Sequence, residues 1–229
     1  MMKIKSLLLF LIIGVVFYHA QTLNIRKNSL EEQTYEELEK EFYNSPAGEI
    51  NSKSIADYYL KKAKSEKNTT QIAEGYVMLH FAEDLPNALK YLDSLQYITK
   101  NSKENIYPAR IYLLRGNLYS KNDNLQSAFN NYILGLKYAK EKGNKRQIAM
   151  AHISIAHLNN YIGKHAETAK VLRHYAYDTD YMNEDEKNSL KLNLADAYIE
   201  INKMDSAYVL IKDGLLDSKK NKDVYRYHQ

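Results

Sequence analysis

Two distant segments of the chain share one pattern of small, aromatic and turn-forming residues. Residues 114–137 read LRGNLYSKNDNLQSAFNNYILGLK, and residues 194–216 read LADAYIEINKMDSAYVLIKDGLL. When Gly116, Ala156 and Ala195 are set in register, related residues return at matching distances in three copies that lie 40 and 39 residues apart. A fixed period of this length is typical of proteins built from one repeated supersecondary unit. The repeat therefore predicts an array of small, similar units.

Each copy of the repeat has the residues of a helical hairpin. A small residue on each helix lets two antiparallel helices approach closely, and larger residues fill the space beside the crossing. The small residues are Gly116, Ala156 and Ala195 on the first helices and Ala128, Thr168 and Ala207 on the second helices. The larger residues are Tyr119 and Tyr198 on the first helices and Tyr132, Leu172 and Ile211 on the second helices. Asp123, Gly163 and Asn202 belong to the types that best tolerate a positive φ, so they are expected in the turns.

The pattern extends towards the N-terminus in a reduced form. The second-helix spacing returns in Ala88, Leu92 and Leu95 and again in Ala56, Leu60 and Ala63. The turn before Ala88 is short and contains Pro86, so an irregular hairpin is expected there. Thr34 with Glu37 and Asn183 with Glu186 have the spacing of capping boxes, the first opening a helix to about Glu41. Asn101 and Gly143 suit helix C-termini, and Pro108 suits a first helical turn.

These patterns predict an all-α fold. About four antiparallel helical hairpins in residues 51–220 are expected to stack into a right-handed solenoid. Residues 21–50 form an N-terminal segment with the first helix in this prediction. Residues 221–229 resemble the start of a further repeat, which is cut short.

Composition excludes several classes of site. The 229 residues contain no cysteine, so disulfides and thiolate metal sites are excluded. The formal charge of +4 comes from 32 basic and 28 acidic residues, and this slight excess is no footprint of nucleic-acid binding. The sequence therefore predicts no direct contact with nucleic acid.

The N-terminus has the order of a secretory signal. Lys3 and Lys5 precede an apolar run over residues 7–17, and Tyr18, His19 and the small Ala20 follow it. Such a run is too short to span the ~30 Å core of a bilayer as a relaxed helix. We expect residues 1–20 to be a signal peptide cleaved after Ala20, with an uncleaved anchor over residues 7–17 as the alternative. The mature chain is thus predicted to be exported.

The repeat resembles the tetratricopeptide repeat (TPR). That family has a small residue and a tyrosine on its first helix, a turn glycine, and an alanine on its second helix. Gly116, Tyr119, Gly163, Ala128 and Ala207 match these positions. The period near 40 is longer than the usual 34 residues of the family and resembles its longer variants in bacterial sensors and regulators. The resemblance implies a protein or peptide ligand and no cofactor.

A narrower resemblance concerns the order of segments along the whole chain. A signal sequence is followed by TYEELEKEFYNS, SIADYYLKKAKSEKN, LPNALKYLDS and YPARIYLLRGNLYSKNDN. This order is similar to the extracytoplasmic half of Bacteroidetes regulators, in which a TPR array precedes a transmembrane helix and an AraC-type DNA-binding domain. The resemblance implies a periplasmic sensor part of a truncated regulator. The alternative is a free-standing periplasmic scaffold in an envelope or secretion assembly.

Register with the TPR family also predicts which residues face a ligand. The first helices of such an array line a groove that binds a peptide through side chains alone. The groove-facing candidates are Arg110, Asn117, His157, Asn160, Asp196 and Glu200. Each of these has a plainer interpretation as a solvated surface residue.

No catalytic or metal site is predicted. His152 and His157 lie five residues apart and His165 and His174 nine apart, whereas a helical metal pair of the H-E-x-x-H kind needs a spacing of four. We interpret them as surface or packing residues. The acidic segment 178–189 lacks the glycine and the final glutamate of a calcium loop, so it is interpreted as a connector. No nucleophile or acid–base pair can be named, and the chain is predicted not to be an enzyme.

Overall fold

A computed structural model describes residues 30–45, 50–176 and 179–221 of the chain. Within them there are ten helices and no strand, so the predicted all-α class is confirmed. The helices are α1 (Tyr35–Asn44), α2 (Ile50–Ser65), α3 (Thr69–Phe81), α4 (Leu85–Thr99), α5 (Ala109–Lys121), α6 (Leu125–Glu141), α7 (Lys145–Tyr161), α8 (His165–Tyr175), α9 (Glu184–Glu200) and α10 (Met204–Asn221). The predicted signal peptide and residues 222–229 of the predicted further repeat lie outside the described residues.

The chain divides into two compact units, residues 1–84 and 85–229. The boundary falls in the segment around Pro86 for which an irregular hairpin was predicted. In the first unit α1 packs on α2 and α2 packs on α3. The predicted packing positions Ala56, Leu60 and Ala63 of α2 are all buried, and the phenol oxygen of Tyr59 lies within hydrogen-bond distance of Glu39 and Gln71.

The second unit is an ordered series of helices. Each helix from α4 to α10 packs on the next one along the chain, and α5 also contacts α7, as α7 contacts α9. The three first helices of the repeat are therefore neighbours, with a second helix following each. A series in which every unit mainly contacts the adjacent unit is the packing that a repeat sequence predicts.

The turns inside the three repeats have one backbone conformation. The φ angles of Asp123, Gly163 and Asn202 are 58°, 80° and 57°, which confirms the predicted positive φ at all three positions. After each of them the next N–H donates to a carbonyl five residues earlier, as Lys203 N donates to Tyr198 O at 2.7 Å. This is the Schellman termination, which satisfies carbonyl groups left free at the end of a helix.

Several turns are short because a single asparagine forms hydrogen bonds with the end of one helix and the start of the next. Asn124 donates its backbone N–H to Tyr119 O at the end of α5, and its side chain caps α6 by accepting from Ser127 N. Asn144 does the same between α6 and α7, after Gly143 with φ 63°. The two predicted capping boxes are confirmed, since both reciprocal hydrogen bonds are present at the start of α1 and of α9. The first of these helices ends at Asn44, three residues beyond the predicted end.

The small residues predicted for the helix crossings are all buried. Ala128, Ala156, Ala195 and Ala207 are buried, as are Gly116 and Thr168. The hydroxyl of Thr168 on α8 donates to the carbonyl of Ala156 on α7 at 3.3 Å. On α5 a Cβ at Gly116 would overlap the ring of Tyr132 from α6. The glycine is therefore needed for this close approach. The flanking Tyr119 and Tyr198 are half-buried.

Candidate peptide-binding face

One exposed polar position recurs on all three first helices of the second unit. Asn117 on α5, His157 on α7 and Asp196 on α9 each follow directly after the small residue of the helix crossing. Because α5 contacts α7 and α7 contacts α9, these three equivalent positions form a row across neighbouring helices. All three were predicted as groove-facing residues.

A second exposed row lies one helical turn further along the same helices. It consists of Lys121, Tyr161 and Glu200, and the side chain of Tyr161 is 70% exposed. Residues four apart on a helix share one side, so the two rows form a single surface. We call these six residues the first-helix face. Of this row, only Glu200 was predicted from the sequence. Lys121 and Tyr161 lie four residues after Asn117 and His157, so the same register also identifies them.

The other two predicted residues have different surroundings. Arg110 lies in the first turn of α5, seven residues before Asn117, so it is on the same side of the helix and is half-buried. Asn160 is only 8% exposed, and its amide nitrogen donates to the carbonyl of Asn193 on α9 at 2.8 Å. Its amide oxygen lies 3.4 Å from Nδ1 of His165 on α8. Asn160 therefore joins three helices and does not belong to the first-helix face.

The side chain of Asn117 is held by the second helix of its hairpin. The phenol of Tyr132 donates to Oδ1 of Asn117 at 2.8 Å. Burial raises the pKa of Tyr132 to about 12, so the phenol remains a donor at any physiological pH. The hydrogen bond fixes the orientation of the amide at the α5 end of the face. The same tyrosine thus fills the helix crossing and orients a candidate ligand contact.

Charge on the first-helix face changes sign along the row of helices. The α5 end carries Lys121, the α7 positions are His157 and Tyr161, and the α9 end carries the carboxylates of Asp196 and Glu200. A surface with opposite charges at its two ends orients an extended ligand, because only one direction pairs unlike charges.

His152, which lies outside this face, is a packing residue. His152 on α7 is half-buried with its ring 5.4 Å from that of Tyr175 on α8. Burial lowers the pKa of His152, and the positive charges of Lys140 and His174 lower it further. In the part of the chain that the structure describes, no three His, Asp or Glu side chains are grouped as ligands for a metal ion. Asn183, in the middle of the acidic segment 178–189, caps α9.

Comparison with known proteins adds no family. The sequence matches no protein-family model and no curated protein. Among the helices described here, none combines the length and the apolar character needed to cross a membrane.

Proposed function

We propose that the chain is a non-catalytic, TPR-like interaction scaffold whose first-helix face binds an extended or helical peptide segment of another protein. The observation that carries the proposal is the recurrence of two exposed positions on three first helices, of which α7 contacts both α5 and α9. Such rows offer side chains at regular intervals along a ligand and need no reacting group. In this proposal the helices of residues 51–220 belong to a right-handed solenoid of about four hairpins.

The sensing role rests on the resemblance to the extracytoplasmic half of Bacteroidetes regulators. We propose an exported, periplasmic chain that senses a protein or peptide ligand, while DNA binding belongs to another part of the regulator. Reading the genomic DNA beyond the codon for Gln229 tests this role. A continuation that encodes a transmembrane helix and a helix-turn-helix domain supports the sensor. A stop codon followed by unrelated sequence supports a free-standing periplasmic scaffold instead.

The charges of the first-helix face predict the polarity of the ligand. The basic residues of the ligand are expected to lie over α9, opposite Asp196 and Glu200. The acidic or neutral residues of the ligand are expected to lie over α5, opposite Lys121. Pairing of this kind contributes mostly to specificity and to the rate of association, and it weakens as salt is added.

A selection from a library of displayed random peptides on the immobilised chain tests the face. Binding of the enriched peptides is then measured by calorimetry to the wild type and to the double variant Asp196→Asn, Glu200→Gln. We expect a loss of about tenfold or more in the double variant, because the ligand's basic residues lose their partners. Asp205→Asn, at an exposed carboxylate of α10, is the matched control and leaves the affinity unchanged. Equal losses in both variants, or no enriched peptide, would contradict the proposal.

A further inference from the structure

Two tyrosine rings lie face to face in the hairpin of α5 and α6. The ring planes of Tyr112 on α5 and Tyr138 on α6 are inclined by only 10°, and the ring centroids are 5.2 Å apart. Tyr35 and Tyr59 of the first unit, in contrast, meet edge to face at 67°. Stacking places ring carbons of one tyrosine against ring carbons of the other.

Neighbouring cations hold the two rings in this arrangement. The guanidinium carbon of Arg115 lies 5.7 Å from the centroid of the Tyr112 ring, and Nζ of Lys137 lies 6.0 Å from that of Tyr138. A cation over an aromatic ring is attracted to its π electrons. Arg115 is itself held by an ion pair with Asp93 on α4. The stack is therefore restrained by three helices.

The hydroxyl groups of the two rings lie at the same end of the stack. The pKa of Tyr138 is raised, first by the neighbouring phenol of Tyr112 and then by burial. One phenol acts on another in this way only over a short distance. The ring carbons next to the two hydroxyl groups, which are the ortho carbons, are therefore close together as well. Both tyrosines are half-buried, so a small oxidant reaches them.

Composition decides which side chain of this protein loses a single electron most easily. Thiols and indoles are the usual competitors of phenols in this reaction. The 229 residues contain 21 tyrosines but neither cysteine nor tryptophan, so oxidation by single electrons is directed to tyrosine. The absence of cysteine also means that no disulfide can join two helices of this chain.

We propose that Tyr112 and Tyr138 are a site of oxidative modification, at which a one-electron oxidant joins the two rings in a dityrosine cross-link. Each phenol gives one electron to the oxidant and one proton to water. The two phenoxyl radicals form a bond between their ortho carbons, and the hydrogen on each of these carbons then moves to the oxygen of its own ring. In total, two C–H bonds break, one C–C bond forms, and two equivalents of oxidant are reduced.

The cross-link joins the two helices of one hairpin. It fixes α5, which carries Asn117 and Lys121 of the first-helix face, to α6 by a covalent bond. Neither tyrosine belongs to the first-helix face itself. The proposal therefore does not depend on peptide binding at that face.

Photo-oxidation of the full chain by a ruthenium tris-bipyridine complex and persulfate tests the site. The oxidised monomer is isolated on a denaturing gel and digested with trypsin. Trypsin releases Tyr112 in the peptide IYLLR, residues 111–115, and Tyr138 in the peptide YAK, residues 138–140, and each peptide has a single tyrosine. Mass spectrometry should detect the two peptides as one species that lacks two hydrogen atoms. The masses of these peptides identify the linked pair without further assignment.

Variants and unfolding distinguish the stacked pair from tyrosines in general. Tyr138→Phe should abolish the linked species, because a phenyl ring has no phenolic hydrogen to lose. Tyr97→Phe, at a tyrosine of α4 that is 82% exposed, is the matched control and leaves the yield unchanged. In urea the yield should fall about tenfold or more, because only the folded chain holds the two rings in contact. Tyr112→Phe gives an independent measurement should Tyr138→Phe fail to fold by circular dichroism.

Four results would overturn the proposal. One is the absence of the linked IYLLR and YAK peptides from the oxidised monomer, and another is an equal yield in urea and in native buffer. The third is an equal loss of yield in Tyr97→Phe and Tyr138→Phe. The fourth is a linked species that occurs only in covalent dimers, since the bond would then join two copies of the chain.

Discussion

At the residue scale, the position around a helix decides what each polar side chain of α7 does. His157 and Asn160 lie three residues apart, yet His157 is exposed and Asn160 donates a hydrogen bond to the backbone of α9. A buried amide without such a partner would cost stability, so the contact with Asn193 O is part of the packing of α7 on α9. Polar character alone therefore does not assign a residue to a ligand face.

His152 makes the stability of the fold depend on pH. Its pKa in the folded chain is lowered below the ordinary value of 6.5, first by burial and then by Lys140 and His174. Below pH 6.5 the unfolded chain binds a proton at this residue more readily than the folded chain does. The free energy of unfolding should therefore fall as the pH falls from 6.5, until the folded chain is protonated as well.

The variant His152→Gln tests this pH dependence. Urea unfolding is measured at a series of pH values between 7.5 and 5.5. The slope of the free energy of unfolding against pH should be flatter for His152→Gln than for the wild type. The slope is the readout, because a change that merely weakened packing would lower the stability equally at every pH. His157→Gln, at an exposed histidine of the same helix, is the control for the substitution itself. A wild-type stability that rises as the pH falls below 6.5 would contradict the predicted direction of the pH dependence.

At the element scale, the hairpin is defined by its turn and by its crossing. Three different residue types adopt a positive φ in the turns. Each turn closes with the same backbone hydrogen bond, from an N–H to the carbonyl five residues earlier. The crossing uses a different pair of small residues in each copy. The hairpin geometry is therefore conserved across copies in which few residues are identical, since only size and turn conformation are constrained.

Enlarging a crossing residue should unfold its hairpin. Ala128 is fully buried where α6 crosses α5, so Ala128→Trp has no room without moving a helix. Overpacking of this kind costs about 1 to 3 kcal/mol or more. Phe129→Trp places the same side chain at the next residue, which is 39% exposed, and serves as the matched control. Thermal melting should show a lower Tm for Ala128→Trp alone, and an unchanged Tm would count against the register of the repeat.

At the scale of the whole molecule, the helices of residues 85–221 are stabilised mainly by their neighbours. The hairpin of α7 and α8 has a hairpin on each side, whereas the hairpin of α9 and α10 has one described hairpin beside it. In such an array the stability of each unit is the sum of its own term and the terms of its interfaces. The last hairpin should therefore open at a lower free energy than the one before it.

Hydrogen exchange measured by mass spectrometry checks this order. Amides of α9 should exchange about tenfold or more faster than the amides of α7, which corresponds to a difference of about 1.4 kcal/mol. The two helices have the same length and equivalent places in the repeat, so each is the control for the other. Uniform protection over α5 to α10 would instead indicate that these helices unfold as one cooperative block.

The local features of this protein were determined by the sequence alone. The turn residues, both capping boxes and the small residues of the crossings were predictable, because each depends on backbone conformation or side-chain size within one hairpin. The exposure of Leu192, the burial of Asn160 and the unit boundary after Asp84 were decided only by the tertiary structure. Leu192 and Ile153 are equivalent in sequence, and they differ only because α9 covers one of them. The burial of a residue depends on whether another hairpin packs over it. The residue pattern of one repeat does not show this packing.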